Sequence, residues 1–180
     1  SIVSSKPQTT RRRVLGIASA DHGQIVFVDA PGVLTAQKGL NAFLTQEALD
    51  VIEQSDVIMA VLAVDTAKKE DIEKIISMAV ESKRPWFAVI TKTDMQELSR
   101  RIIAIEELLA QHKSCKAVFR ISSEWKEDGE LIRKEILEKC MDLLPDSPAP
   151  LYDIELFTPH TVKELSAEII REKCFEVLHH

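Results

Sequence analysis

The 180-residue chain is 45% hydrophobic and 29% charged, with only five glycines and seven prolines; it has the apolar mass for a packed core and falls outside the disordered and collagen-like classes. Its 23 Lys+Arg against 29 Asp+Glu leave a net charge of −6, the opposite of a nucleic-acid-binding footprint, so any contact with RNA or DNA must come from a local patch or from a further segment. The three cysteines, Cys115, Cys140 and Cys174, are too scattered for a metal site and point to a reduced, cytosolic setting, and the longest apolar run, 57–64, is far shorter than the ~20 residues of a membrane-spanning helix.

The chain opens on a polar stretch that ends in Arg11-Arg12-Arg13. The residues that follow imitate the basic, apolar and small-residue layout of a secretory signal, but the apolar part is only about seven residues long and sits after a polar lead, which argues against one. Strands are expected over 14–18 and 24–29, joined by Asp21-His22-Gly23 as a tight turn. Further strands are expected over 56–65, 86–91 and 117–122, and their almost continuous apolar character predicts burial on both faces, as in a parallel sheet covered by helices. Between them, helical periodicity runs over 43–54, over 69–81 with Ile72, Ile75, Ile76 and Ala79 on one face, over 98–111 and over 131–144. Strand and helix in alternation predict a doubly wound α/β domain. The proline-rich stretch 145–159 reads as a linker or a surface excursion, and 161–178 as an amphipathic helix opened by the capping-box pair Thr161 and Glu164.

Three short elements carry chemistry. Asp29-Ala30-Pro31-Gly32 follows the second strand, where an aspartate can hold a magnesium ion and a proline-glycine turn can present a backbone N–H to a terminal phosphate; an ordinary strand-ending turn fits the same residues. Thr91-Lys92-Thr93-Asp94 follows the strand over 86–91. There the carboxylate can accept the ring N–H and exocyclic amine of guanine, a donor pair adenine lacks, and the lysine stem can cover the base; a solvated loop and helix cap is the plainer reading. Ile121-Ser122-Ser123-Glu124 follows the next strand, where serine and backbone N–H groups could meet the guanine carbonyl oxygen. Each element is weak alone, but all three follow successive strands and would converge on one edge of the sheet.

In that order the three elements resemble the D-x-x-G, N-K-x-D and S-A-x motifs of translation-factor-type GTPases. Two further stretches narrow the resemblance to the Era family of ribosome-assembly GTPases. Residues 1–11 (SIVSSKPQTTR) look like that family's first switch, and 167–173 (AEIIREK) look like its linker towards an RNA-binding KH domain. The resemblance implies a three-layer P-loop GTPase-type fold with a mostly parallel sheet, here without its first, central strand. It also implies a partial GTPase domain over 1–145 and a linker and helix over 146–180. GTP or GDP and Mg²⁺ would be the ligands. Thr9, Thr10 and Asp29 would serve the metal; Gly32 would sense the terminal phosphate, with Val33 opening the second switch; and Thr91, Lys92, Asp94, Ser122 and Ser123 would hold the nucleotide.

Through a KH domain beyond residue 180 the partner would be the small ribosomal subunit and its rRNA; the resemblance also admits peripheral association of a cytoplasmic protein with the inner membrane. The expected activity is hydrolysis of GTP to GDP and phosphate, with this stretch alone inactive.

The sequence departs from the pattern at several points. Thr91 stands for the usual asparagine, Ser123 for the usual alanine, and Val33 for a water-orienting glutamine, so no catalytic residue is assigned. No G-x-x-x-x-G-K-[ST] occurs in the chain, and the reading expects that phosphate cradle and the central strand to belong to a longer native chain. Two other readings stay open: a non-hydrolysing interaction module, and a GTPase of the tRNA-modifying or tandem type, which the 167–173 stretch disfavours. Trp86 reads as core and Trp125 as a partner contact. Arg11 to Arg13 read as a solvated strand edge, and His179 and His180 as a frayed end or a tag remnant.

Overall fold

The computed structural model describes residues 14–20, 23–30, 40–65, 68–124 and 127–177. Thr9, Thr10, Arg11, Arg12, Arg13, Asp21, His22, Gly32, Val33, Trp125, His179 and His180 lie outside them. In chain order the elements are β1 (Val14–Ala20), β2 (Gly23–Asp29), α1 (Leu40–Gln54), β3 (Ile58–Ala63), α2 (Lys69–Glu81), β4 (Trp86–Thr91), α3 (Ser99–Ala110), β5 (Cys115–Ile121), α4 (Glu127–Leu143) and α5 (Val162–Val177). They divide into two compact units, residues 1–51 with 147–180, and residues 52–146. Among the described residues no helix is long and apolar enough to cross a membrane.

In the first unit β1 and β2 form an antiparallel hairpin, from Val14 opposite Asp29 to Ala20 opposite Gly23. The other edge of β1 would expose backbone donors and acceptors, and the stretch 151–160 satisfies them. Ile17 N–H donates to the Phe157 carbonyl at 2.9 Å, and Leu15 N–H donates to Nε2 of His160 at 3.1 Å. The Thr158 hydroxyl donates to the Leu15 carbonyl at 2.7 Å. On β2 the amide of Gln24 clamps Tyr152 as a strand partner would, accepting its N–H at 3.0 Å and donating to its carbonyl at 3.1 Å. The proline-rich stretch is thus a strap along the hairpin. Its last residues open α5 through the capping box expected from the sequence: Glu164 N–H donates to the Thr161 hydroxyl oxygen at 3.3 Å while the Glu164 carboxylate accepts from Thr161 N–H at 2.8 Å.

Because Nε2 of His160 accepts a backbone N–H, His160→Ala leaves that donor on a strand edge without its partner. A stability loss of about 1 kcal/mol is expected in urea denaturation, with faster amide exchange at Leu15 as its local sign.

In the second unit β3, β4 and β5 are parallel, in that order across the sheet, and β4 is central. Pairing in register puts Ala60 beside Ala88 and Leu62 beside Ile90. These residues face Ile72, Ile76 and Ala79 of α2 and Ile102, Ile105 and Leu109 of α3, and together they build the core. Glu70 and Asp71 in the first turn of α2 suit the positive end of its dipole, and Lys83 closes that helix in the left-handed region at φ 57°. Arg120 of β5 grips Glu106 of α3 in a two-pronged pair, at 2.6 and 2.5 Å.

Burial on both faces, expected for every strand of this sheet, holds for β4 alone, which is buried from Trp86 through Ile90. In β3 and β5 exposed and covered residues alternate, with Met59, Val61 and Val118 exposed. Alternate residues of a strand point to opposite faces, and in β3 the face of Ala60 and Leu62 packs in the core while the face of Met59 and Val61 is exposed.

Candidate functional site

Parallel strands deliver their C-terminal ends to one edge of a sheet, and in the second unit that edge carries Asp65, Thr91 to Asp94, and Ser122 with Ser123. The backbone knits the edge first. Val64 N–H donates to the Thr91 carbonyl and Thr93 N–H to the Ile121 carbonyl, both at 3.4 Å, so the loop after β4 is tied to the strand on either side. Lys92 then takes φ 60°, a left-handed conformation that costs an L side chain roughly 1 kcal/mol and persists only where the surroundings hold it.

Two side-chain contacts hold it. On the β5 side the Ser122 hydroxyl donates to the Oδ1 carboxylate oxygen of Asp94. Ser122 is 3% exposed, and its oxygen also accepts the N–H of Glu124 at 3.1 Å. With the hydroxyl oxygen taken by a backbone donor, its single proton is directed at Asp94, which fixes that carboxylate while leaving it exposed and able to accept further donors. On the β3 side the ammonium of Lys92 pairs with Oδ2 of Asp65 at 2.6 Å, so the lysine stem runs from the end of β4 towards the end of β3. Asp65 is anchored in turn, its carbonyl accepting from Nη1 of Arg101 at 3.4 Å. An aspartate presenting its carboxylate edge beside an immobilised aliphatic stem can read a planar base that offers two adjacent N–H donors.

The sequence assigned Thr91, Lys92, Asp94, Ser122 and Ser123 to one site, and the structure brings these five together in one unit. It differs in what the Ser122 hydroxyl touches. That group is not available to a guanine carbonyl oxygen, because its single proton is already donated to Asp94. Asp65 was missed as a site residue. It read only as the last residue of a strand, and its signal was an acidic group closing an apolar run at a sheet edge. Among the described residues the hydroxyl of Thr93 is buried without a hydrogen-bond partner.

Asp29 ends β2 in the first unit and is exposed. Its carboxylate is the hard oxygen donor that magnesium takes. Thr9, Thr10, Gly32 and Val33, which would complete a metal and phosphate site, lie outside the described residues, and among the described residues no three His, Cys, Asp or Glu groups cluster as a metal site. An open cleft of about 300 Å³ beside α2 and α3, lined by Glu73, Ile76, Val80, Leu108 and His112 among others, shares no residue with the edge described above.

Comparison with known proteins gives this edge its context. Residues 1–92 match the model of the family described as 50S ribosome-binding GTPase. Over 99% of its length the chain is 32% identical to the GTPase Era of Geotalea daltonii, of which it spans 58%. Among solved structures, Era in complex with MgGDPNP and nucleotides 1506–1542 of 16S ribosomal RNA superposes with a TM-score of 0.84, at 27% identity over 100% of this chain and 60% of that one. A variant of Aquifex aeolicus Era bound to GDP and AlF4⁻ gives a TM-score of 0.83 at the same identity and coverage. The chain belongs to the ribosome-binding GTPase family and is an Era-like member of it, with the three-layer P-loop GTPase-type fold. It spans about six-tenths of the length of the relatives it matches.

Proposed function

We propose that the protein is a GTP-binding and GTP-hydrolysing switch acting in small ribosomal subunit assembly and rRNA maturation. The observation that carries the reading is the hydrogen bond from buried Ser122 that fixes an exposed Asp94 beside the pinned stem of Lys92. In this reading Asp94 accepts the two guanine donors, the Lys92 stem covers the base, Thr91 and Ser123 shape the loops around it, and Ser122 acts through Asp94. Asp29 with Thr9 and Thr10 would hold Mg²⁺, which when bound offsets the charge of the phosphates. Gly32 and Val33 would report the terminal phosphate, and because Val33 cannot orient a water, hydrolysis depends on another group or a partner.

Residues 1–145 serve as part of the nucleotide-binding domain, and 146–180 as the linker and helix that lead towards an RNA-binding KH domain. The net charge of −6 supports giving RNA recognition to such a further domain. The matched family's description names the large subunit, whereas an Era relative was solved with 16S rRNA; the greater coverage by Era favours the small subunit. The expected membrane association finds no support in these relatives' descriptions.

Co-sedimentation of the protein at full native length with purified ribosomal subunits tests the reading. It should pellet with the small subunit in a manner that differs between GDP and a non-hydrolysable GTP analogue. Pelleting with the large subunit alone, or indifference to the nucleotide, would contradict it; indifference together with no GTP turnover would favour a non-hydrolysing interaction module.

A further inference from the structure

We infer that Asp65 is a positioning residue of the base site, acting through Lys92, an inference that rests on the reading of that site as a guanine pocket. The loop after β4 is braced in two directions by side chains. Towards β5 the brace is the Ser122 hydroxyl on Asp94; towards β3 it is the Asp65 carboxylate on the Lys92 ammonium, 2.6 Å apart. The first brace orients the group that reads the edge of the base. The second orients the group that covers its face.

A lysine stem has four rotatable carbons and, left to itself, samples many rotamers, so a base stacking on it would have to order it first. The Asp65 pair does that ordering before the ligand arrives. Lys92 is also held at φ 60°, a conformation that needs support from its surroundings, and both Val64 N–H on the Thr91 carbonyl and the ammonium on Asp65 tie this loop to the end of β3. Asp65 is itself seated, with its side chain only 23% exposed and its carbonyl bonded to Arg101 of α3. The pair therefore joins a seated end, Asp65, to a more exposed one, Lys92, whose side chain is 48% exposed. The arrangement separates the two tasks. Selectivity among bases resides in Asp94, and affinity for any base of similar outline in the Asp65-held stem.

Equilibrium and dissociation measurements with GDP and xanthosine diphosphate on the full-length native protein test this. Asp65→Ala should weaken GDP about tenfold, mainly by faster dissociation, and weaken xanthosine diphosphate by the same factor, so that the ratio of the two is unchanged. In a Lys92→Met background, where an uncharged stem of similar length keeps the base covered, the further change Asp65→Ala should alter GDP affinity by less than about twofold. Asp65→Asn, which keeps the shape and loses the charge, stands in if the alanine variant does not fold. Wild-type affinity in Asp65→Ala and Asp65→Asn, or an undiminished loss in the Lys92→Met background, would overturn the role of Asp65. The guanine reading fails separately: if Asp94→Asn in an otherwise wild-type chain leaves the preference for GDP over xanthosine diphosphate intact, the pocket does not read guanine at all.

Discussion

Replacing Asp94 with asparagine in the full-length protein is expected to move its preference from guanine towards xanthine nucleotides. A carboxylate meets two guanine donors with two acceptors, whereas an amide sets one donor against a donor. Xanthine carries a carbonyl where guanine carries its exocyclic amine and restores the match. The expected cost for GDP is on the order of several kcal/mol, because a polar pair is left mismatched inside a contact that excludes water. Ser122 makes the substitution cleaner than it would otherwise be, since its hydroxyl can still donate to the oxygen of the new amide and keep the side chain in place. Competition between GDP and xanthosine diphosphate for the two proteins measures the shift. Unchanged selectivity would mean that Asp94 does not face the base.

The second large effect concerns the strand that presents this edge. Trp86 begins β4 with 1% exposure, within the core that α2 and α3 share with β3 and β4, and its indole N–H donates to the Ser114 hydroxyl at 3.0 Å. It also meets the ring of His112 edge to face, centroids 6.5 Å apart. Trp86→Ala removes the indole's apolar contacts, opens a cavity in the cluster to which Leu109 and Ile76 also belong, and takes the indole donor from Ser114. Together these should cost ~3–5 kcal/mol, a large share of the roughly 5–15 kcal/mol that holds a domain folded. Trp86→Phe keeps most of the volume and should cost about 1–2 kcal/mol, chiefly the indole hydrogen bond and the smaller ring. Denaturant titration followed by circular dichroism reads both. A loss below about 1 kcal/mol for the alanine variant would show that the core tolerates the gap and that Trp86 is not its anchor.

What the sequence made legible follows the range of the interactions involved. β4 was expected over 86–91 and runs over those residues, because a central strand is apolar on both faces and bounded by polar turns. β3 was expected over 56–65 but is cut to Ile58–Ala63, since pairing with β4 begins at Trp86 and ends at Thr91. Val64 and Asp65 fall outside the strand for that reason. β5 begins two residues earlier than expected, at Cys115, where pairing with Trp86 starts. α1 begins at Leu40, three residues before the expected start, and α4 begins at Glu127, before the apolar periodicity, because its first turn, Glu127 to Glu130, contains no large apolar residue. The 3₁₀ turn at Gln96–Leu98 before α3 left no mark in the sequence pattern.

The strap was legible only as a polar, proline-rich connection, because its bonds join Gln24 to Tyr152 and Leu15 to Thr158, more than a hundred residues apart. The same holds at the site. Local motifs named Lys92, Asp94 and Ser122, but the pairings of Lys92 with Asp65 and of Asp94 with Ser122 join residues that follow neighbouring strands, and nothing in the spacing says which oxygen a serine proton will choose. The amphipathic reading of 161–178 gave the helix, while Leu165, Ile169 and Ile170 are exposed on it.

The most direct measurement is calorimetric titration of the full-length native protein with GDP and, under the same conditions, with ADP. Both ligands carry the same diphosphate, so the difference between them isolates the base contacts at Asp94 and Lys92. A GDP affinity at least a hundredfold above that for ADP is expected, corresponding to about 2.7 kcal/mol of discrimination by the carboxylate edge. Equal affinities would contradict the assignment of this sheet edge as a guanine site.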